Sequence, residues 1–288
     1  MKGSVKALAQ GGGMVRRGHR RGALVAAGGP VLMTTVSLAQ GLDPGTLAAA
    51  CASLAPTAED DFRCGLAHYV GKGARPDETE AFRRFARAAE GGHTEALNNL
   101  AQMHLDRASR FHDGRKGFAL LLQAAEKGYA KAQYSVALLL EEGHVARQDL
   151  AQARSWYRKA AEQGHPFAQN DLANLLRWGV GGGRDVAEAA RLYRQAGERG
   201  VPAAAFNLGE LYLDGDGVPR DALEAHLWIT RAAAKGDKAL KARIFDILAT
   251  LEQRMTDGER QAVTDRNARW RTGRPVPDRQ SGHILPPP

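Results

Sequence analysis

One interval governs what this chain can fold into: its glycines recur every 36 residues. The strings Ala88-Ala89-Glu90-Gly91-Gly92, Ala124-Ala125-Glu126-Lys127-Gly128, Ala160-Ala161-Glu162-Gln163-Gly164, Ala196-Gly197-Glu198-Arg199-Gly200 and Ala232-Ala233-Ala234-Lys235-Gly236 place Gly92, Gly128, Gly164, Gly200 and Gly236 at one constant step of 36. A second series, Gly71, Gly143, Gly179 and Gly215, keeps the same step and is broken only at Arg107. A period of this size marks a repeat architecture, in which no unit buries its apolar face alone and each must stack on a neighbour. Two glycine marks per unit divide it into two helices. Each mark stands where a helix must stop, because Gly takes the left-handed C′ conformation without a Cβ clash.

The apolar pattern inside a unit has the helical period. Leu100, Val136, Leu172 and Leu208 are in register, and Met103, Leu139, Leu175 and Leu211 follow three residues later, an i, i+3 stripe along the first helix. In the second helix Phe85, Leu121, Tyr157, Tyr193 and Ile229 align three residues before Ala88, Ala124, Ala160, Ala196 and Ala232. Large side chains therefore face small ones, which lets neighbouring helices approach closely and interdigitate. Asp149, Asp185 and Asp221 open second helices, as does Asp77 after Pro76, where a carboxylate caps free N–H groups. Aromatic residues are only 6% of the 288 and β-branched runs are few, which argues for packed helices against a β-sandwich or a parallel sheet.

The fullest statement of the repeat is Gly215-Asp216-Gly217-Val218-Pro219-Arg220-Asp221-Ala222-Leu223-Glu224-Ala225. With Trp156-Tyr157-Arg158-Lys159-Ala160-Ala161-Glu162-Gln163-Gly164 and Ala205-Phe206-Asn207-Leu208-Gly209-Glu210-Leu211-Tyr212, it resembles the Sel1-like repeats, relatives of the tetratricopeptide repeat. The likeness covers roughly residues 57–254. It implies an all-α, αα-hairpin solenoid of 36-residue repeats, a right-handed superhelix whose concave face, lined by first helices, binds proteins or peptides. The unit holding Arg107 to Gly117 departs from the pattern by losing its glycine loop, and Leu251 stands where a fifth loop glycine would be.

The ends differ from the array. Residues 1–39 hold Lys2, Lys6, Arg16, Arg17, Arg20 and Arg21 with no acidic residue, so six of the eight excess positive charges lie there. A basic stretch followed by the small and apolar run Ala23–Ala39, ending Ser37-Leu38-Ala39, is a secretory signal layout cut before Gln40. The alternative is an uncut N-terminal membrane anchor, for which the run is short and Gly-rich. With export, the basic charge belongs largely to a removed peptide and is no argument for nucleic-acid binding. Asp43-Pro44 starts a short capping helix, Asp as N-cap and Pro at N1, within 40–56. Thr256-Asp257-Gly258-Glu259 is a capping-box pattern opening a C-terminal capping helix over 255–271. The tail 272–288, rich in Pro, Arg and Gly, reads as disordered, with Leu285-Pro286-Pro287-Pro288 as a possible polyproline ligand.

Cys51 and Cys64 are the only cysteines. In an oxidising compartment they read as a disulfide, contributing about 3 kcal/mol by the chain-entropy model; the alternative is two small buried apolar residues. Neither a Cys/His metal spacing nor any cofactor motif is present. No Gly-x-Ser-x-Gly elbow, His-Glu-x-x-His helix or Walker loop occurs. Gly179-Val180-Gly181-Gly182-Gly183-Arg184 aligns with the ordinary interhelix loops. His68 and His104 share a register with Leu140, Leu176 and Tyr212, as packing residues do, and His93 and His165 sit at helix starts. The expectation is therefore a non-enzyme: an exported, periplasmic or secreted scaffold that binds a protein or peptide partner, without stable membrane insertion after signal cleavage. It could regulate an envelope sensor or enzyme. The alternative is a hydrolase or binder acting on cell-wall or β-lactam compounds, a role described for some Sel1-like proteins whose units each hold a Cys pair.

In the related tetratricopeptide geometry the exposed first-helix positions lie two before and two after the aligned leucine, and again five and six after it. Transferred in register, they select Asn98, Gln102, Tyr134, Glu141, Glu142, Asn170, Asn174, Arg177, Trp178, Phe206, Glu210 and Asp214 as the partner-binding surface. N-terminal sequencing of the mature protein is expected to begin near Gln40; a soluble product still carrying Arg20 and Ala23 overturns the export reading.

Overall fold

Residues 43–272, 276–277 and 284–285 are described by the computed structural model. Among them lie thirteen α-helices, and the fold is an all-α helical-repeat solenoid. The chain divides after Gln148 into two units. The first holds α1 (Pro44–Ala52), α2 (Ala58–Val70), α3 (Glu78–Glu90), α4 (Thr94–Leu105), α5 (Gly114–Glu126) and α6 (Ala130–Glu142). The second holds α7 (Leu150–Glu162), α8 (Pro166–Trp178), α9 (Val186–Glu198), α10 (Pro202–Asp214), α11 (Ala222–Lys235), α12 (Lys238–Glu252) and α13 (Asp257–Arg271). The signal segment 1–39 lies outside the described residues.

The helices start where their caps are. Asp77, Asp113, Asp149, Asp185 and Asp221 each accept an N–H from the first turn of a second helix, at 2.9–3.0 Å. Thr57 with Asp60 and Thr256 with Glu259 form complete capping boxes at α2 and α13. His93 and His165 cap α4 and α8 through Nδ1, which accepts from Ala96 and Ala168 N–H at 3.2 Å. That bond requires an unprotonated Nδ1, so both imidazoles serve as acceptors there.

A helix pair is then closed by its loop. The N–H of Asp77, Asp113, Asp185 and Asp221 donates to the carbonyl of His68, His104, Leu176 and Tyr212, one register position, at 2.8–3.1 Å. A side chain adds a second clasp across seven residues. His68 Nδ1 meets Arg75 O at 2.9 Å and His104 Nδ1 meets Phe111 O at 2.7 Å, while Gln148 donates to Glu141 O at 2.8 Å and Arg184 to Arg177 O at 3.0 Å. The loop after α4, which lacks its glycine, therefore keeps the clasp that the others have. The left-handed conformation expected of the glycine marks holds at eight of them, from Gly71 to Gly215, but not at Gly236, whose φ is −70°. There α11 extends to Lys235 and Asp237 caps α12 directly, so no left-handed residue is needed.

Packing follows the alternation of size. Phe85, Leu121, Tyr157, Tyr193 and Ile229 are fully buried, and so are the alanines aligned after them. Glycine makes the closest approaches. A Cβ on Gly65 would lie 2.7 Å from the Phe85 ring, and one on Gly209 2.5 Å from Ile229 Cγ1. In the first unit Phe62, Leu66, Phe85, Leu100 and Met103 share one core. Its N-terminal side is covered by α1, which a disulfide between Cys51 and Cys64 ties to α2 with a Cα–Cα distance of 4.8 Å.

The C-terminal part of the second unit is less regular. Buried Glu224 pairs with Arg266 of α13 at 2.6 Å, and the Arg231 guanidinium lies between the rings of Trp228 and Trp270. In the tail, Val276–Pro277 and Ile284–Leu285 pair antiparallel, Val276 opposite Leu285. Segments of two residues carry no sequence periodicity, so this pairing is invisible to pattern reading. Gly209→Ala is expected to lower stability by about 1–3 kcal/mol in urea unfolding, since the added methyl collides with Ile229 across the α10–α11 contact. An unchanged midpoint would show that the two helices can move apart without cost.

Candidate functional site

The positions selected from the sequence fall on first helices, and their exposure varies. Asn98, Tyr134, Asn170, Arg177 and Phe206 are buried, Gln102, Glu141, Glu142, Asn174 and Glu210 are half-buried, and Asp214 and Trp178 are exposed. The expected exposure two residues before the aligned leucine therefore fails in all four units. The reason is visible at Phe206, whose ring is roofed by the Arg243 guanidinium of α12 at 4.4 Å. A neighbouring first helix covers that position.

In the second unit the selected residues come together. Arg177 of α8 donates to Glu210 of α10 at 3.2 Å, and Arg243 of α12 donates to the other oxygen of the same carboxylate at 2.7 Å. Each partner lies 33 residues from the next. Asn174 Oδ1 accepts both from Tyr193 Oη at 2.6 Å and from Asn207 Nδ2 at 3.2 Å, again 33 residues on. Burial raises the Tyr193 hydroxyl well above its ordinary pKa, so it stays a donor. Trp178 ends α8 at 56% exposure, its ring 5.0 Å from the Arg177 guanidinium carbon. An indole braced by a cation on one side and open to solvent on the other is a ready anchor for a partner.

Several polar atoms along these helices are buried without a hydrogen-bond partner among the described residues. They include Asn98 Oδ1 and Gln102 Nε2 in the first unit, and Asn170 Oδ1 and Arg177 Nε in the second. All four belong to the selected set. Such orphans cost about 1–3 kcal/mol each and call for an explanation.

Three members of this network lie outside the selected positions. Tyr193 is expected only to pack, Asn207 falls one position from the selected register, and Arg243 lies in α12, where the 36-residue pattern fades. The 33-residue step from Arg177 to Glu210 to Arg243 would have found it. Elsewhere, Cys51, Cys64 and His68 cluster, but the two sulfurs are bonded to each other and offer no thiolate to a metal. The glycine loop Gly179–Arg184 is occupied by its own chain, with Arg154 Nη1 donating to Gly183 O at 2.9 Å. Glu141 belongs to the first unit, and its carbonyl receives the Gln148 clasp.

The Sel1 repeat family model matches residues 58–93, 94–129, 130–165, 166–201 and 202–237. Among solved structures, a protective antigen of uropathogenic Escherichia coli strains, displaying the SLR fold, aligns with 27% identity and a TM-score of 0.64. That alignment covers 72% of this chain and 44% of the antigen, so the chain spans less than half of that neighbour's length. A Sel1 repeat protein from Oxalobacter formigenes aligns with 24% identity and a TM-score of 0.62, covering 72% of this chain and 86% of the other. No curated protein matches the sequence. Glu210→Ala is expected to cost about 2 kcal/mol in denaturant unfolding, because it strands the mostly buried Arg177 charge; Glu210→Asp should recover part of the loss, and equal stability of all three forms would remove Glu210 from the frame of this face.

Proposed function

Since the chain belongs to the Sel1 repeat family, whose members act as protein-interaction scaffolds, we propose that it is an exported, non-catalytic scaffold holding a protein or peptide partner on its first-helix face. On this reading the partner is an envelope sensor or enzyme whose activity the scaffold regulates. One observation carries the proposal: Trp178 is 56% exposed at a register position that Glu142 and Asp214 fill in neighbouring units. Repeat packing does not call for an aromatic there, so its apolar area is left for something outside the chain.

Export is supported by the Cys51–Cys64 disulfide, a bond that persists in oxidising compartments, and by the basic and apolar lead in residues 1–39. Among the described residues no helix is long and apolar enough to cross a membrane.

Proximity capture in the native envelope identifies the partner. Trp178→Ala should then weaken its binding by at least about 1 kcal/mol, close to fivefold in Kd, with the thermal midpoint nearly unchanged. A large drop in stability with unaltered affinity per folded molecule would assign Trp178 to packing and discard this surface.

A further inference from the structure

On the second-helix side of the second unit, between α7 and α9 and over the start of α8, lies a pocket of about 480 Å³. Leu172 and Leu192 give it apolar lining, Gln169 and Gln195 give it amides, and charged side chains, Glu162, Glu198 and Arg199 among them, make up much of the rest. Gln169 is 96% buried: its exposure is 4%. Its Nε2 donates to Ala161 O at 3.3 Å and to Gln195 Oε1 at 3.2 Å, while its Oε1 has no partner among the described residues. That oxygen is buried with no donor of its own, and it can take an N–H from outside once the amide turns toward the cavity that Gln169 lines.

The same groove one repeat further along is filled. A step of 36 takes Leu192 to Trp228, Gln195 to Arg231, Gln169 to Ala205 and Ala161 to Gly197. There the Arg231 guanidinium carbon sits 4.7 Å from the Trp228 ring centroid and 5.3 Å from that of Trp270, which α13 delivers. Only about 20 Å³ remains, room for one water. The chain thus contains both the empty groove and an example of what fits it: an indole carried on a helix and laid against a guanidinium.

We propose that the pocket over Gln169 is a docking site for a tryptophan side chain of a partner protein, placed as Trp270 is placed one repeat on. The indole lies along Leu172 and Leu192, and its N–H donates to Gln169 Oε1 once that amide turns toward the cavity. Arg191, a lining residue 59% exposed and only loosely paired with Glu188 at 3.8 Å, is free to cover the ring face as Arg231 covers Trp270. Arg158 is not available for this, being held by Glu188 at 2.7 and 3.2 Å. The site is independent of the Trp178 face, and either can fail alone.

The test uses the full chain, isotope-labelled, titrated to about 10 mM with N-acetyl-L-tryptophanamide and followed by the side-chain amide resonances of Gln169 and Gln195. Saturable shifts at both are expected. The 1-methylindole analogue, which lacks the N–H, should bind about fivefold more weakly, and Gln169→Leu should erase that difference. Leu192→Trp, which copies the next repeat, should fill the pocket and abolish binding while the backbone amide spectrum stays that of the folded protein. No shift at either glutamine, equal binding of N-acetyl-L-leucinamide, or shifts confined to the Trp178 face would overturn the proposal. So would free L-tryptophan binding tenfold tighter than the blocked amide, which would mark a site for the free amino acid.

Discussion

Everything in this structure rests on how closely two helices can approach when one presents almost no side chain. Ala88, Ala124, Ala160, Ala196 and Ala232 have no exposed surface, and glycines at positions 65 and 209 bring backbone within van der Waals reach of Phe85 and Ile229. At that distance a large side chain on the partner helix has one place to go. Dispersion contacts are individually weak, so it is their number along a tight seam that holds the pair. Caps, loop clasps and cross-repeat ion pairs act on a geometry this seam has already set.

The periodic parts were legible because they are properties of one helix. Glycine marks, Asp caps and the large-against-small alternation can each be read from a single strand of sequence, and the helices begin and end where they point. Exposure at the candidate site was less legible because it depends on what the neighbouring helix brings. Asn98, Tyr134, Asn170 and Phe206 share a register position that looks outward on an isolated helix, yet all four are buried. Phe206 shows how: Arg243, outside the clear repeats, lies across it. His93 and His165 were recognisable as helix starts, but their role as imidazole acceptors needed the backbone geometry.

Charge is used differently on the two sides of the second unit. On the first-helix side, Glu210 is shared by Arg177 and Arg243, so three helices meet at one carboxylate. On the second-helix side, Arg158 meets Glu188 in a two-pronged pair, and Glu224, fully buried, meets Arg266. Partly buried pairs of this kind add little net stability over an apolar seam but penalise every misaligned stacking, which in a chain of similar repeats is the error most easily made.

The loop clasps have a consequence for the order of assembly. A bond from Asp77 N–H to His68 O, or from Asp221 N–H to Tyr212 O, closes a turn of nine residues, and the ties between successive pairs, such as Arg158 to Glu188 or Arg177 to Glu210, span 30 and 33 residues. Among the described residues the longest of the side-chain ties named above, Arg266 to Glu224, spans 42 residues, little more than one repeat. Such a chain can form hairpin by hairpin as it is released from a ribosome or a narrow channel, each finished pair serving as the template for the next.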